Sequence, residues 1–150
     1  MSISIRPANH NDIPWLLSEL SQFAQFYGTK RSLLGDQSIA GASLKVMIDD
    51  HVFLIAEKDG VGPVGFIGGV YVPHMFNPDI QCLHESFWWV AEQHRGSRAG
   101  YLLFQEFKHW GELNADWVFF ALEEHSPVSD EFMIRNGFKS KERFFLLENP

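Results

Sequence analysis

Residues 87 to 107 read FWWVAEQHRGSRAGYLLFQEF. An aromatic run ends at Val90, a short turn carries Arg95, Gly96, Ser97, Arg98, Ala99 and Gly100, and apolar residues then recur at helical spacing. A strand that feeds a helix through such a turn gathers the helix's unpaired N–H groups and the positive end of its dipole in one small space. The small residues Gly96, Ser97, Ala99 and Gly100 let an oxygen approach the main chain, and the two arginines add positive charge. A diphosphate fits this turn. The spacing is equally that of a plain strand-to-helix turn whose glycines relieve strain and whose arginines lie in water.

Upstream of this segment, Ile3 and Ile5 alternate with polar residues as a short strand. Asn11 or Asp12 then caps a helix with Pro14 in its first turn, and Ile13, Leu16, Leu17, Leu20 and Phe23 share one face. A second helix is predicted over residues 36–49. A β-hairpin turning at the Asp-Gly of KDGVG spans 52–72, and an aromatic strand spans 81–90. Downstream, a helix is predicted from 99 to 111, a buried strand over 117–122, a short helix ended by Asn136-Gly137, and a closing strand over 139–148. The mixed order predicts a single α/β (α+β) domain over 1–150, a sheet covered by helices on both faces.

The chain has 150 residues, 45% of them hydrophobic, enough to bury a sizeable core. Its net charge of -7 and its lack of a dense basic run argue against a nucleic-acid partner. No apolar stretch reaches the roughly 20 residues of a membrane span, and the start MSISIRPANHND lacks the apolar core of an export signal. With one cysteine, Cys82, a disulfide framework is excluded and a reduced, cytoplasmic setting is expected. The dinucleotide, P-loop, zincin and nucleophile-elbow signatures are absent, and seven scattered histidines with one cysteine predict no metal site.

The turn RGSRAG resembles the R/Q-x-x-G-x-G/A loop of the GCN5-related N-acetyltransferase (GNAT) family, with Arg95, Arg98 and Gly100 at the motif positions. The resemblance runs through IRPANHNDI, the hairpin with GFIGG, the strand 117–122 and F-x-x-R-N-G-F at 132–138. It implies a six-stranded, mostly antiparallel sheet splayed between its fourth and fifth strands. It implies that acetyl-CoA binds with its phosphates at residues 95–100 and its pantetheine arm along Trp89 and Val90. It also implies N-acetyl transfer to a small-molecule or peptide amine by direct attack in a ternary complex.

Arg98 stands where the family usually has its first motif glycine, Met133 where it often has a proton-donating tyrosine, and Ser126 where an asparagine often contacts the cofactor. The methionine leaves open a catalytically silent acyl-CoA-binding or protein-interaction module on the same fold. Glu85 is the candidate base, with Phe87, Trp88 and Trp89 beside it to desolvate it; a solvent-facing Glu85 fits the same alternation. Its neighbour His84 faces the opposite side, so only one of the two looks into the site. The Val90 amide is the expected donor to the acetyl carbonyl. The tryptophan pair reads as packing, Glu123, Glu124 and His125 as a solvated turn or an acid-base cluster, residues 73–79 as a lid or a surface loop, and RFFLL as a strand that could pair with a second copy in a homodimer.

Overall fold

Long strands with apolar residues on both faces need a helical layer on each side, and this chain supplies both. A computed structural model describes residues 2–150. The chain divides into two compact units, one running through Phe120 and the other Ala121–Pro150. The first contains β1 (Ile3–Pro7), a 3-10 turn (His10–Asp12), α1 (Ile13–Tyr27), α2 (Gln37–Asp50), β2 (Val52–Lys58), β3 (Gly62–Pro73), β4 (Gln81–Val90), a second 3-10 turn (Glu92–His94), α3 (Ala99–Asn114) and β5 (Trp117–Phe119). The strands lie in sequence order in one sheet. β1 to β4 pair antiparallel, and β5 joins β4 in parallel.

Alternation sorts the side chains. Val52, Leu54, Ala56, Val64, Ile67 and Leu83 pack with Ala99, Leu103 and Phe107 of α3. Phe53, Ile55, Phe66 and Trp89 pack on the other face with Ile13 and Leu16 of α1 and Leu44 of α2. Each of the large side chains contributes about 1.5–3 kcal/mol by leaving water. α3 comes close to the sheet because Gly69 and Gly111 lack side chains. A Cβ at Gly69 would lie 2.7 Å from Phe107 Cζ and 2.6 Å from the His84 carbonyl oxygen, and one at Gly111 would lie 2.4 Å from Val118 Cγ2.

α1 begins where predicted, with Asp12 as its N-cap residue and Pro14 in its first turn, but the side-chain capping lies one turn earlier, at a 3-10 turn. Asn9 accepts the Asn11 N–H, and the Asp12 carboxylate accepts the Asn9 N–H, a reciprocal capping box around the 3-10 turn. Asp12 is also an ion-pair partner. The Arg6 guanidinium grips it with two bonds of 2.8 and 2.9 Å and donates a third to Glu57 at 2.9 Å. Burial pushes the Asp12 carboxyl up, but the Arg6 hydrogen bonds, the Asn9 amide and the Arg6 charge outweigh it and hold the group below its ordinary 3.8. A depressed carboxyl contributes stability that is present above its unfolded value and is lost as pH falls through the folded one. Urea midpoints should therefore drop between pH 5 and pH 3. Asp12→Asn should cost about 2 kcal/mol at pH 7 and show a shallower acid slope; an unchanged slope would count against this pair.

The expectation of six strands is corrected to five. Residues 139–148 form no strand, and Phe144, Phe145, Leu146 and Leu147 are exposed. Four consecutive apolar residues have no polar alternate face and no turn to set a register, so a partner strand is not specified locally. β5 is likewise shorter than predicted, ending at Phe119 where its pairing with β4 stops. The second unit holds α4 (Asp130–Arg135), capped where Ser129 Oγ accepts the Phe132 N–H. Gly137, at φ 94°, ends it with the paired bonds Phe138 N–H to Met133 O and Gly137 N–H to Ile134 O.

Candidate functional site

β4 has ten residues, but β5 pairs with only three of them: Cys82 with Trp117, Leu83 with Val118, and His84 with Phe119. β5 ends at that last pair, so past His84 no strand among the described residues pairs with that edge of β4, and the sheet is left open there as a fork. A bulge reinforces the opening. Gly69 lies opposite Glu85 and Gly68 opposite Phe87, so Ser86 is extra and the strand bends there. At the far end, Ala91 donates its N–H to Val64 O across the β3 side. Antiparallel alternation then turns the N–H and C=O of Val90 into the fork.

The two tryptophans anchor this strand end to both helical layers. Trp88 stacks on Phe104 and donates its indole N–H to Gly100 O at 3.2 Å, tying the first turn of α3 to β4. Trp89 faces the other way, between Phe23 and Phe26, and donates to Glu19 Oε2 at 3.0 Å. Glu19 is 7% exposed. No pattern in the sequence signals this pair, because a glutamate inside a helical repeat reads as solvated until a partner 70 residues away supplies its hydrogen bond. Trp89 therefore turns its ring to α1 and its main-chain groups to β3.

From β4 the chain makes the 3-10 turn and enters the RGSRAG loop. Gly96 sits at φ 84°, where an L side chain would be strained. Arg98 occupies the residue before α3 at φ -80°, ψ 0°, an ordinary right-handed conformation, so its Cβ is accommodated. Its guanidinium lies 5.8 Å from the Tyr101 ring. Ser97 Oγ accepts the Ala99 N–H at 3.3 Å, while Leu102 N–H begins the helical ladder on Arg98 O. A Cβ on Gly100 would meet Val90 Cγ2 at 3.5 Å, an ordinary contact. The donor set suits a diphosphate: small residues, a helix start whose N-cap residue Arg98 makes no side-chain cap bond, and Arg98 outside the described ion pairs.

Arg95 does something the spacing does not suggest. Its guanidinium lies 4.4 Å over the Trp89 ring and its Nε donates to Val90 O at 3.1 Å, so the side chain covers the mouth of the fork. Beside it an open cleft of about 350 Å³ is lined by Gln22, Gln25, Phe26, Trp89, Glu92 and Arg95.

Glu85 is the first β4 residue beyond the last β4–β5 pair. It is half-buried and shares with Gly69 the face that Phe107 of α3 covers. His84 is exposed on the opposite face and stacks on Phe119 at 4.7 Å. The structure thus brings Glu85, Val90 and residues 95–100 along one edge. Ser126 lies in the second unit, where its Oγ accepts the Val128 N–H at 3.2 Å. Met133, also there, is 8% exposed. Glu123, Glu124 and His125 place ligand atoms within 4.8 Å of one another, as three consecutive residues of a turn. Cys82 is 2% exposed, and burial followed by the Asp116 charge pushes its thiol up, away from nucleophilic character.

The fold recurs in known proteins. The model of the Acetyltransferase (GNAT) family matches residues 16–138. A Clostridium acetobutylicum protein described as a predicted acetyltransferase, solved with acetyl-CoA, superposes with a TM-score of 0.75 over 98% of this chain and 96% of that one, at 13% identity. A ribosomal-protein-alanine N-acetyltransferase of Brucella melitensis biovar Abortus 2308 gives 0.74 over 99% and 100%, at 16% identity. An aminoglycoside acetyltransferase from an uncultured soil metagenomic sample gives 0.66 over 100% and 99%, at 15% identity. No curated protein matches the chain. Identities this low establish a shared fold, and the family match over most of the sequence establishes more: this chain belongs to the GNAT acetyltransferase family.

Proposed function

We propose that the chain transfers the acetyl group of acetyl-CoA to a primary amine by direct attack in a ternary complex. The observation that carries this is the fork at the Val90 edge standing next to the RGSRAG helix start. Loop and helix N–H groups at residues 96–100 would hold the diphosphate, assisted by the Arg98 guanidinium. The coenzyme supplies the activated acyl group. Val90 turns one donor and one acceptor into the fork, which suits an extended arm bearing amides; Arg95 must release Val90 O for that arm to pair. The Val90 N–H would polarise the thioester carbonyl. The new C–N bond forms as the C–S bond breaks, the amine gives up a proton, and the leaving thiolate takes one.

Glu85 is proposed as the group that receives the amine proton, from its position at the apex of the fork. Glu85 is on the α3 face of β4 and His84 on the other. Replacing each in turn separates them.

Met133 favours a second reading, a module that binds acyl-CoA without turning it over, because a thioether cannot donate a proton to a thiolate. Calorimetric titration with coenzyme A should give micromolar binding that weakens at least tenfold in Arg98→Ala. Binding together with amine-dependent release of free thiol supports transfer. Binding without release supports the silent module, and no heat at millimolar coenzyme removes both.

A further inference from the structure

β5 is short, but it carries two large rings on the face away from α3. Val118 points into α3 at Gly111, so its neighbours Trp117 and Phe119 point outward. They belong to a file. His84 stacks on Phe119 at 4.7 Å, Phe119 lies 6.2 Å from Trp117, Trp117 lies 5.4 Å from His74, and His74 lies 6.1 Å from Phe76. One end of the file is the last β4–β5 pair, at the apex of the fork. The other is the loop between β3 and β4, which His74 braces by accepting the Phe76 N–H through Nδ1. Trp117 is 45% and Phe76 87% exposed. Packing accounts for neither.

The segments that carry these rings hold formal charges of one sign. No lysine or arginine occurs between Lys58 and Arg95 or between Lys108 and Arg135, the stretches that supply β3, β4, β5 and the loop. The carboxylates there include Asp79 and Asp116, the latter at the head of β5, where it accepts the Gln81 N–H. Ring faces and carboxylates both attract cations and repel anions. The file ends at the last β4–β5 pair, on the sheet face opposite α3, so a ligand laid along it reaches the apex of the fork. A single file of five partly exposed rings offers well under the roughly 1,200 Å² that a stable protein interface buries, but it matches the width of a small ligand.

We propose that this file is the acceptor subsite and that the acceptor is a cationic amine with an aromatic or alkyl body, its ammonium directed to the fork and its body laid along Phe119, Trp117 and Phe76. The proposal rests on the acetyl-transfer reading but is tested by binding alone. Proton NMR of the full chain, titrated with 2-phenylethylamine and in parallel with phenylacetate, compares one ring with two opposite charges. The amine should shift the His74, His84 and Trp117 ring signals and saturate, and phenylacetate should leave them in place. Phe76→Ala and Trp117→Leu should each raise the apparent dissociation constant at least fivefold without altering coenzyme A binding. Equal response to both ligands, unmoved ring signals, or unchanged affinity in both variants would overturn it. So would a dimer in solution that the same substitutions dissolve, which would make the file an interface between copies. Because Phe76 is a loop residue exposed nearly in full, its variant stays informative even where Trp117→Leu fails to fold. Failure of coenzyme A to bind would sink the transfer reading while leaving this readout intact.

Discussion

Glu85→Gln is expected to lower turnover by about 100-fold at neutral pH, the scale of a lost general base, with coenzyme A affinity unchanged. The pH dependence identifies the role. A primary amine of the lysine type is protonated until pH reaches about 10, so below that the enzyme needs a group to take the proton, and above it the amine arrives already neutral. The ratio of parent to variant kcat/KM should be largest between pH 6 and 7 and shrink steadily towards pH 10. A constant ratio across that range would make Glu85 a positioning residue. A large loss in His84→Gln with Glu85→Gln near parental would move the role to the other face of β4.

Gly69→Ala is expected to be the most damaging small substitution in the sheet, costing about 3 kcal/mol and lowering Tm on the order of 10 °C. The new Cβ would meet the His84 carbonyl oxygen at 2.6 Å and Phe107 Cζ at 2.7 Å. The first is backbone within the β4 ladder, and the second is a fully buried ring, so neither yields without loss elsewhere. Gly41→Ala provides the contrast. Its Cβ would find only Ile13 Cγ2 at 3.9 Å in the middle of α2, so that exchange should stabilise the protein by up to about 1 kcal/mol. Thermal melts of both variants test the packing directly. A mild Gly69→Ala would mean that α3 has room to retreat from the bulge.

Glu85 and Gly69 also mark the boundary between what is legible in the sequence and what is not. Strand periodicity and turn chemistry suffice for β2, β3 and β4, and the limits of β4 agree with the predicted 81–90 to the residue, because hydrophobic runs bounded by Asp-Gly, Pro-Asp and Arg-Gly leave little choice. The glycine-bearing turn into α3 is legible for the same reason. The bulge is not, since it arises from a mismatch between two strands and has no local signature at Ser86. Nor is the reach of Arg95 to Val90 O, or the Trp89 to Glu19 bond, which join residues that only the folded sheet makes neighbours. The missing sixth strand has a related cause. FFLL has strand composition, but composition does not provide a partner. The ring file leaves a faint trace in the sequence, the alternation of Trp117 and Phe119, which reads as core until the fork strips one face of its cover.

The sole thiol of the chain lies sealed within β4, reluctant to ionise. A colorimetric dye that consumes mercaptans will therefore ignore intact enzyme and register only what turnover liberates. Any slow drift in a substrate-free cuvette then counts molecules that have come apart, so a single trace reports both catalysis and the health of the catalyst.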